Sequence, residues 1–127
     1  MQLYIAGPES ANTEQAIRAN TPWLVTSRVT YAEVLSVLNR CLLDRRISRE
    51  AYRLQKKTFL VDWSALHIVE VTQAVLQNAG SLIERHALRG FDALHLGSAL
   101  WMGRPRFACF DERLRSAAEA EGLELTP

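Results

Sequence analysis

The chain has 127 residues, of which 48% are hydrophobic and 23% charged, with a formal net charge of +1, values that suit one ordinary domain with one core. No apolar run is long enough to span a bilayer, and the opening "MQLYIAGPES" has no basic segment followed by an apolar one, so we expect a cytoplasmic protein without membrane contacts. The near-neutral charge neither requires nor excludes nucleic acid, since a local basic stripe could still bind phosphate.

Hydrophobic periodicity and turn residues predict strands that alternate with helices along the chain. Ser48 is the predicted N-cap of one of these helices. In chain order we predict helix 9–20, strand 22–27, helix 28–45, helix 49–65, strand 66–71, helix 72–88, helix 92–102, strand 106–110, helix 111–121 and a short strand 123–125.

The predicted strands are continuously apolar, which is typical of strands that are buried on both faces of a parallel sheet. Strands alternating with helices indicate helices on both sides of that sheet. The sequence contains no internal repeat, low-complexity tract or linker. We therefore predict a single three-layer α/β/α domain over residues 1–127.

The cysteines and histidines do not indicate a metal site. Cys41 and Cys109 lie far apart without metal-ligand spacing, so we expect them to be reduced and buried, with no structural zinc. His67, His86 and His95 form no HExxH or paired arrangement, and we interpret them as core-edge or surface residues.

Two aspartates lie where a parallel sheet would collect a ligand. Asp111 directly follows the strand "RFACF", and Asp92 follows Gly90 and Phe91 at the start of a helix. Strand carboxyl ends and helix amino ends share one rim of such a sheet, and ligands bind in the crevice there. Each aspartate could instead be an N-cap, and both could cap a helix and still face a shared site.

Glu33 lies in the middle of a predicted helix. Val29 and Val37 precede and follow it by one turn, which places it on a largely apolar stripe. A buried glutamate without a partner would become neutral or carry a large free-energy penalty. The alternative is a partly exposed glutamate paired with Arg40 or Arg28.

If Glu33, Asp92 and Asp111 meet, their like charges repel one another and raise one another's pKa. A divalent cation would remove this conflict, and all-oxygen ligands select Mg²⁺ or Mn²⁺ over zinc. Such a site can activate water and neutralise a phosphate under attack, which indicates phosphodiester hydrolysis. A phosphatase of another α/β family is a weaker hypothesis, because no D-x-D-x-[TV] motif is present.

The segments "TYAEVL", "LRGFDALHLGSAL" and "FACFDERLRSAAEAEGLEL" resemble the PIN domain, and particularly the VapC-type toxins of bacterial toxin–antitoxin pairs. The resemblance implies a small α/β domain with Mg²⁺- or Mn²⁺-dependent endoribonuclease activity. It also implies an RNA substrate, a small antitoxin as partner, and a homodimer. Carried over by motif, the family's acidic residues fall on Glu33, Asp92 and Asp111.

The chain departs from the family at its start. The family opens with a central strand that ends in an aspartate within "D-[ST]-S-A", whereas "MQLYIAGPES" resembles the helix that follows, so we expect the first strand and its ligand to be missing. The start codon could be assigned too far downstream or the chain truncated, or the protein could be a relative that no longer cleaves. Alternatively, "QLYIA" could occupy the vacant position, with Glu9 as a substitute ligand. Cys109 stands where the family often has threonine or serine.

Basic side chains recur at helical spacing between residues 45 and 57, and could contact RNA phosphates or form a solvated face. The apolar pair Trp101 and Met102 could serve a protein contact or belong to the core. The basic stripe consists of Arg45, Arg49, Arg53 and Lys56 or Lys57.

Overall fold

The computed structural model describes residues 2–7 and 23–126, and the predicted helix 9–20 lies outside these ranges. The described residues form strands and helices that follow the predicted order closely. The strands are β1 Gln2–Ile5, β2 Trp23–Ser27, β3 His67–Val69 and β4 Arg106–Ala108, and the helices are α1 Thr30–Leu43, α2 Arg49–Ala65, α3 Gln73–His86, α4 Gly90–Trp101 and α5 Glu112–Ala120.

The strands form one parallel sheet in the order β3-β2-β1-β4. Within it, Leu3 of β1 is in register with Leu24 of β2 and with Arg106 of β4. The predicted strand at 123–125 is reduced to a single bridge between Leu125 and Phe107. The prediction of a three-layer α/β/α domain with a parallel sheet is confirmed.

The expectation that the first strand is missing is wrong, and the alternative that "QLYIA" occupies its position is confirmed, because β1 lies in the centre of the sheet, between β2 and β4. The amide of Ala6 extends this pairing by donating to the Ala108 carbonyl at 2.9 Å. The physical reason is that a vacant centre would leave the backbone groups of both neighbouring strands unpaired. Glu9, the suggested substitute ligand, lies outside the described residues.

Alternate residues of β1 enter different hydrophobic clusters, as expected for a strand with two covered faces. Leu3 and Ile5 belong to a small cluster with Leu24 and Ala108. Tyr4 belongs to the main core, where its ring stacks on Phe107 with the ring centroids 5.5 Å apart. The remaining main-core residues come chiefly from α3, α4 and α5, including Val75, Ala79, Leu82, Ala93, Leu96, Ala99, Leu114, Ala117 and Ala118.

The helices α1 and α2 contribute little to this core. Thr30 is the buried residue of α1, and no residue of α2 is buried. Several large apolar side chains of this helical pair are instead exposed, namely Tyr31, Val37, Leu43, Leu54, Leu60 and Val61.

Candidate active site

The carboxyl end of β2 sets the position of α1 and, with it, of Glu33. The buried Thr26 hydroxyl donates to the Ile5 carbonyl at 2.7 Å and lies 2.7 Å from the Thr30 hydroxyl. The helix begins at Thr30, so Glu33 lies in its first turn rather than in mid-helix as predicted. The reason is that the chain forms a turn at residues 28–29 before the helix starts.

The side chain of Glu33 is only 17% exposed and has a buried partner. Its Oε1 lies 2.6 Å from Nε2 of His95, whose side chain is 1% exposed. The suggested pairing with Arg28 is wrong, because Arg28 forms an ion pair with Glu70 on the surface. For His95, the interpretation as a core-edge or surface residue is also wrong, since it is fully inside the core.

Asp92 lies in the first turn of α4, where Arg89 occupies the N-cap position without a side-chain capping bond. The capping alternative for Asp92 is therefore wrong. Desolvation by burial raises the pKa of the Asp92 carboxyl, and the negative charges of Asp111 and Glu33 raise it further. The positive charge of Arg89 and the neighbouring His95 act in the opposite direction.

Asp111 is the N-cap of α5, and its Oδ1 accepts a hydrogen bond from the Leu114 amide at 2.9 Å. The capping prediction is confirmed for this residue, which nevertheless also faces the cavity that Asp92 lines. Cys109, two residues before it, is buried and free, and burial raises the pKa of its thiol to about 11. At neutral pH the Cys109 thiol therefore lines the cavity as an uncharged group.

One cavity of about 540 Å³ brings the three predicted acidic residues together. Glu33 reaches it from α1, Asp92 from α4 and Asp111 from the end of β4. Ala6, at the carboxyl end of the central strand, adds no charged group. The remaining polar, charged and aromatic lining residues are Ser36, Arg89, Phe91, Cys109 and Phe110.

The donor chemistry of this cavity suits a hard divalent cation, because three carboxylates offer only oxygen ligands. The side chains are not preassembled, however: among residues 2–7 and 23–126, no three His, Cys, Asp or Glu side chains are already arranged to hold a metal ion. Glu33 is bound to His95, and one oxygen of Asp111 caps α5. The residues fit the chemistry of Mg²⁺ or Mn²⁺, with two of the three carboxylates engaged by protein groups.

Sequence reasoning missed several residues around the cavity. His95 follows Asp92 by three positions, a spacing that puts both on one side of a helix and was a usable signal. Arg89 precedes Asp92 by three positions, yet the arginines singled out were elsewhere. Phe91 and Phe110 are 54% and 51% exposed. The pattern of apolar residues in the sequence does not distinguish such exposed phenylalanines from those of the core.

The basic stripe lies away from the acidic cavity. Arg53, Lys56 and Lys57 line a separate cleft of about 550 Å³ on α2, together with Tyr52 and Leu60. The Lys56 ammonium stands 5.9 Å from the centre of the Tyr52 ring.

A parallel sheet between helical layers, with acidic residues gathered beyond the strand ends, defines an α/β/α domain with an acidic cavity. Residues 3–120 match the PIN domain model, and the chain belongs to the PIN domain family. It is 36% identical over 105 residues to Ribonuclease VapC45 and to Ribonuclease VapC49, from two strains of Mycobacterium tuberculosis. Each alignment covers 81% of this chain and 73% of the relative, and the resemblance to VapC-type proteins is confirmed.

Solved structures share the fold at low sequence identity. PAE2754 from Pyrobaculum aerophilum has a TM-score of 0.74 and 15% identity, covering 98% of this chain and 89% of that chain. A toxin–antitoxin complex from Klebsiella pneumoniae has a TM-score of 0.64 and 18% identity, covering 87% of both chains. VapBC2 from Rickettsia felis, bound to a promoter DNA fragment, has a TM-score of 0.64 and 16% identity, covering 98% of this chain and 97% of that chain.

In the described part of the chain, no helix has both the length and the apolar character needed to cross a membrane.

Proposed function

We propose that this protein is a cytoplasmic endoribonuclease, the toxin of a toxin–antitoxin pair, which hydrolyses RNA phosphodiester bonds with Mg²⁺ or Mn²⁺. The observation that carries the proposal is that Glu33, Asp92 and Asp111, from three separate segments, line one cavity. The relatives named as ribonucleases support the same reaction class.

In this proposal Asp92 and Asp111 hold the cation, with Glu33 as the third carboxylate of the site. The bound cation would activate a water molecule and neutralise charge on the attacked phosphate. Burial raises the pKa of the Asp92 carboxyl, and the negative charges of Asp111 and Glu33 raise it further, so the site disfavours the ionised form of Asp92 until a cation compensates it. Arg89, which lines the same cavity, is the side chain suited to bind a phosphate oxygen.

The test is cleavage of end-labelled RNA by the purified full chain with Mn²⁺, with Mg²⁺, and with excess chelator. We expect cleavage with either ion, none with chelator, and a large loss for Asp92→Asn, which preserves size but removes a charge. Glu119→Gln, at an exposed position on α5, is the matched control and should retain full activity. Equal cleavage by wild type and Asp92→Asn would refute the proposal.

The second candidate is a binding module of this family that does not cleave RNA. It is favoured by Ala6, which puts a methyl group rather than a carboxylate at the cavity end of the central strand. Calorimetric titration of Mn²⁺ into the full chain separates the two. Stoichiometric binding that Asp92→Asn abolishes supports the nuclease, whereas no binding supports the inactive module.

We further propose an antitoxin protein and a second copy of the chain as partners. The exposed apolar residues of α1 and α2 offer a surface for such contacts, and Trp101 at the end of α4 is 53% exposed. Two of the solved structures that share the fold are a toxin–antitoxin complex and VapBC2. Light scattering after size-exclusion chromatography would give the molar mass in solution. If α2 forms the dimer contact, Leu54→Glu should lower this mass from that of a dimer to that of a monomer.

A further inference from the structure

Two buried side chains and one partly buried carboxylate form a continuous chain of hydrogen bonds that ends in the acidic cavity. The Tyr4 hydroxyl lies 2.9 Å from Nδ1 of His95, and Nε2 of His95 lies 2.6 Å from Oε1 of Glu33. Tyr4 and His95 are 0% and 1% exposed, and only Glu33 reaches the cavity. The bonds join β1, α4 and α1, which are three elements far apart in sequence.

One tautomer of His95 satisfies both of its neighbours. An ionised carboxylate only accepts hydrogen bonds, so Nε2 of His95 carries the hydrogen that is donated to Glu33. In the neutral imidazole, Nδ1 then accepts from the Tyr4 hydroxyl. Burial raises the pKa of Tyr4 above its ordinary range, so its hydroxyl stays protonated and can donate a hydrogen bond to Nδ1 of His95.

We propose that His95 is a positioning residue of the acidic site: it holds Oε1 of Glu33 and would thereby orient the carboxylate towards a cation bound in the cavity. Tyr4 in turn fixes the imidazole. The proposal rests on the proposed metal-dependent function and adds to it a supporting pair that the acidic residues alone do not include. Partners that orient a metal-binding side chain from behind typically change metal affinity or activity by roughly 10- to 100-fold.

The packing around His95 explains how the ring can act in this way. The Tyr4 and His95 rings meet edge to face with centroids 5.8 Å apart and an interplanar angle of 75°. Tyr4 is itself stacked on Phe107, so neither ring can turn without disturbing the main core. Because a rigid donor already restricts the Glu33 side chain, little further side-chain entropy is lost when Glu33 binds a ligand, and the affinity is correspondingly higher.

The experiment compares His95→Gln, which can donate and accept as the neutral imidazole does, with His95→Leu, which can do neither. Mn²⁺ affinity by calorimetry and RNA cleavage rate are the readouts, well below the unfolding temperature of each variant. We expect His95→Leu to weaken Mn²⁺ binding by roughly 10- to 100-fold and His95→Gln to restore most of it. His86→Gln, at a histidine that pairs with Glu121 instead, is the control and should bind Mn²⁺ and cleave RNA as the wild type does.

The results that overturn the proposal differ from those that overturn the function. If Asp92→Asn loses Mn²⁺ while a folded His95→Leu binds it like wild type, or if Gln and Leu are equally impaired, His95 does not position Glu33. If wild type binds no Mn²⁺, the metal-dependent function itself fails and the proposal falls with it. Should His95→Leu not fold, Tyr4→Phe removes one hydroxyl and should weaken Mn²⁺ binding several-fold; unchanged affinity would count against the proposal. Nitrogen-15 NMR of wild type should give the Nε2–H form of His95, and the Nδ1–H form would refute it.

Discussion

Asp111 and Asp92 approach one cavity from different elements, and the charge of Asp111 raises the pKa of the Asp92 carboxyl. Burial of Asp92 is the larger cause of the same shift. Two carboxylates that disfavour each other's ionisation destabilise the fold until a cation or a proton compensates them. Without such compensation, the two carboxylates therefore lower the stability of the fold.

Replacing Asp92 should stabilise the protein in the absence of metal. The folded state raises the Asp92 pKa above its ordinary value of 3.8, so the residue disfavours folding once the pH rises through the raised value. At pH 7 we expect Asp92→Asn to increase the free energy of unfolding by roughly 0.5 to 2 kcal/mol, measured by urea denaturation. Saturating Mn²⁺ should reverse the order by stabilising the wild type alone. A less stable Asp92→Asn, with Glu119→Gln unchanged, would contradict this prediction.

Asp111 caps α5 and is also a proposed ligand of the cation, and conservative substitutions can separate these two roles. Asparagine caps helices about as well as aspartate, so Asp111→Asn should keep the bond to the Leu114 amide and most of the stability while reducing Mn²⁺ affinity. Alanine loses both roles, and Asp111→Ala should be less stable than Asp111→Asn by about 1 kcal/mol. Thermal unfolding and calorimetric titration of the same two variants measure the roles independently. Equal stability would show that the cap is unimportant.

Glu121 should stabilise the fold at neutral pH and cease to do so in acid. His86, with Nε2 2.7 Å from Oε2 of Glu121, and then Arg85, lower the pKa of this carboxyl below its ordinary value of 4.5, against the opposing effect of its burial. The stabilisation is therefore present above pH 4.5 and is lost as the pH falls through the lowered pKa. We expect Glu121→Gln to reduce the free energy of unfolding by about 1 kcal/mol at pH 7, with the difference narrowing below pH 4.5.

Denaturation series at several pH values provide the measurement. Glu124→Gln is the matched control, because the Glu124 side chain is 75% exposed and lies 3.8 Å from Arg106. A deficit of Glu121→Gln that persists undiminished in acid would show that its origin is not the ionised carboxyl.

Gly97 allows α3 and α4 to approach each other closely. A Cβ atom at Gly97 would lie 3.1 Å from the Ala79 amide nitrogen and 3.2 Å from the Val75 carbonyl oxygen. The Asn78 side-chain nitrogen also donates to the Gly97 carbonyl at 3.2 Å. We expect Gly97→Val to destabilise the protein by about 1 to 3 kcal/mol in chemical denaturation.

Substitution of a second glycine in the same pair of helices should have the opposite effect on stability. A Cβ atom at Gly80 in α3 would meet no atom within 4 Å, so Gly80→Ala should stabilise the helix by roughly 0.5 to 1 kcal/mol. Losses of similar size at both positions would mean that helix propensity and close approach do not govern this interface.

The sequence predicted those features that local patterns determine. Ser48 caps α2 as expected, accepting from the Ala51 amide at 3.0 Å. Asp111 follows β4 and Asp92 lies at the start of α4, as the alternation of apolar segments predicts. Such features depend on neighbouring residues, and short-range periodicity records them.

The missed features depend on contacts between distant segments. His95 and Glu33 are 62 residues apart, and no spacing rule within one helix connects them. The strand Gln2–Ile5 has no polar–apolar alternation to mark it, because both of its faces are covered and only its partners define it as central. The sequence therefore offers the central position of this strand only as one of several alternatives.

The central position of β1 has a consequence for how the protein acquires its structure. Leu3 pairs on one side with Leu24 and on the other with Arg106, so one edge of β1 remains unpaired until residue 106 has been synthesised. Contacts between such distant segments slow folding, because a long loop must close before they form. Until then β1 and β4 present open edges, and a ribosome-bound or newly released chain is most exposed to aggregation during that interval.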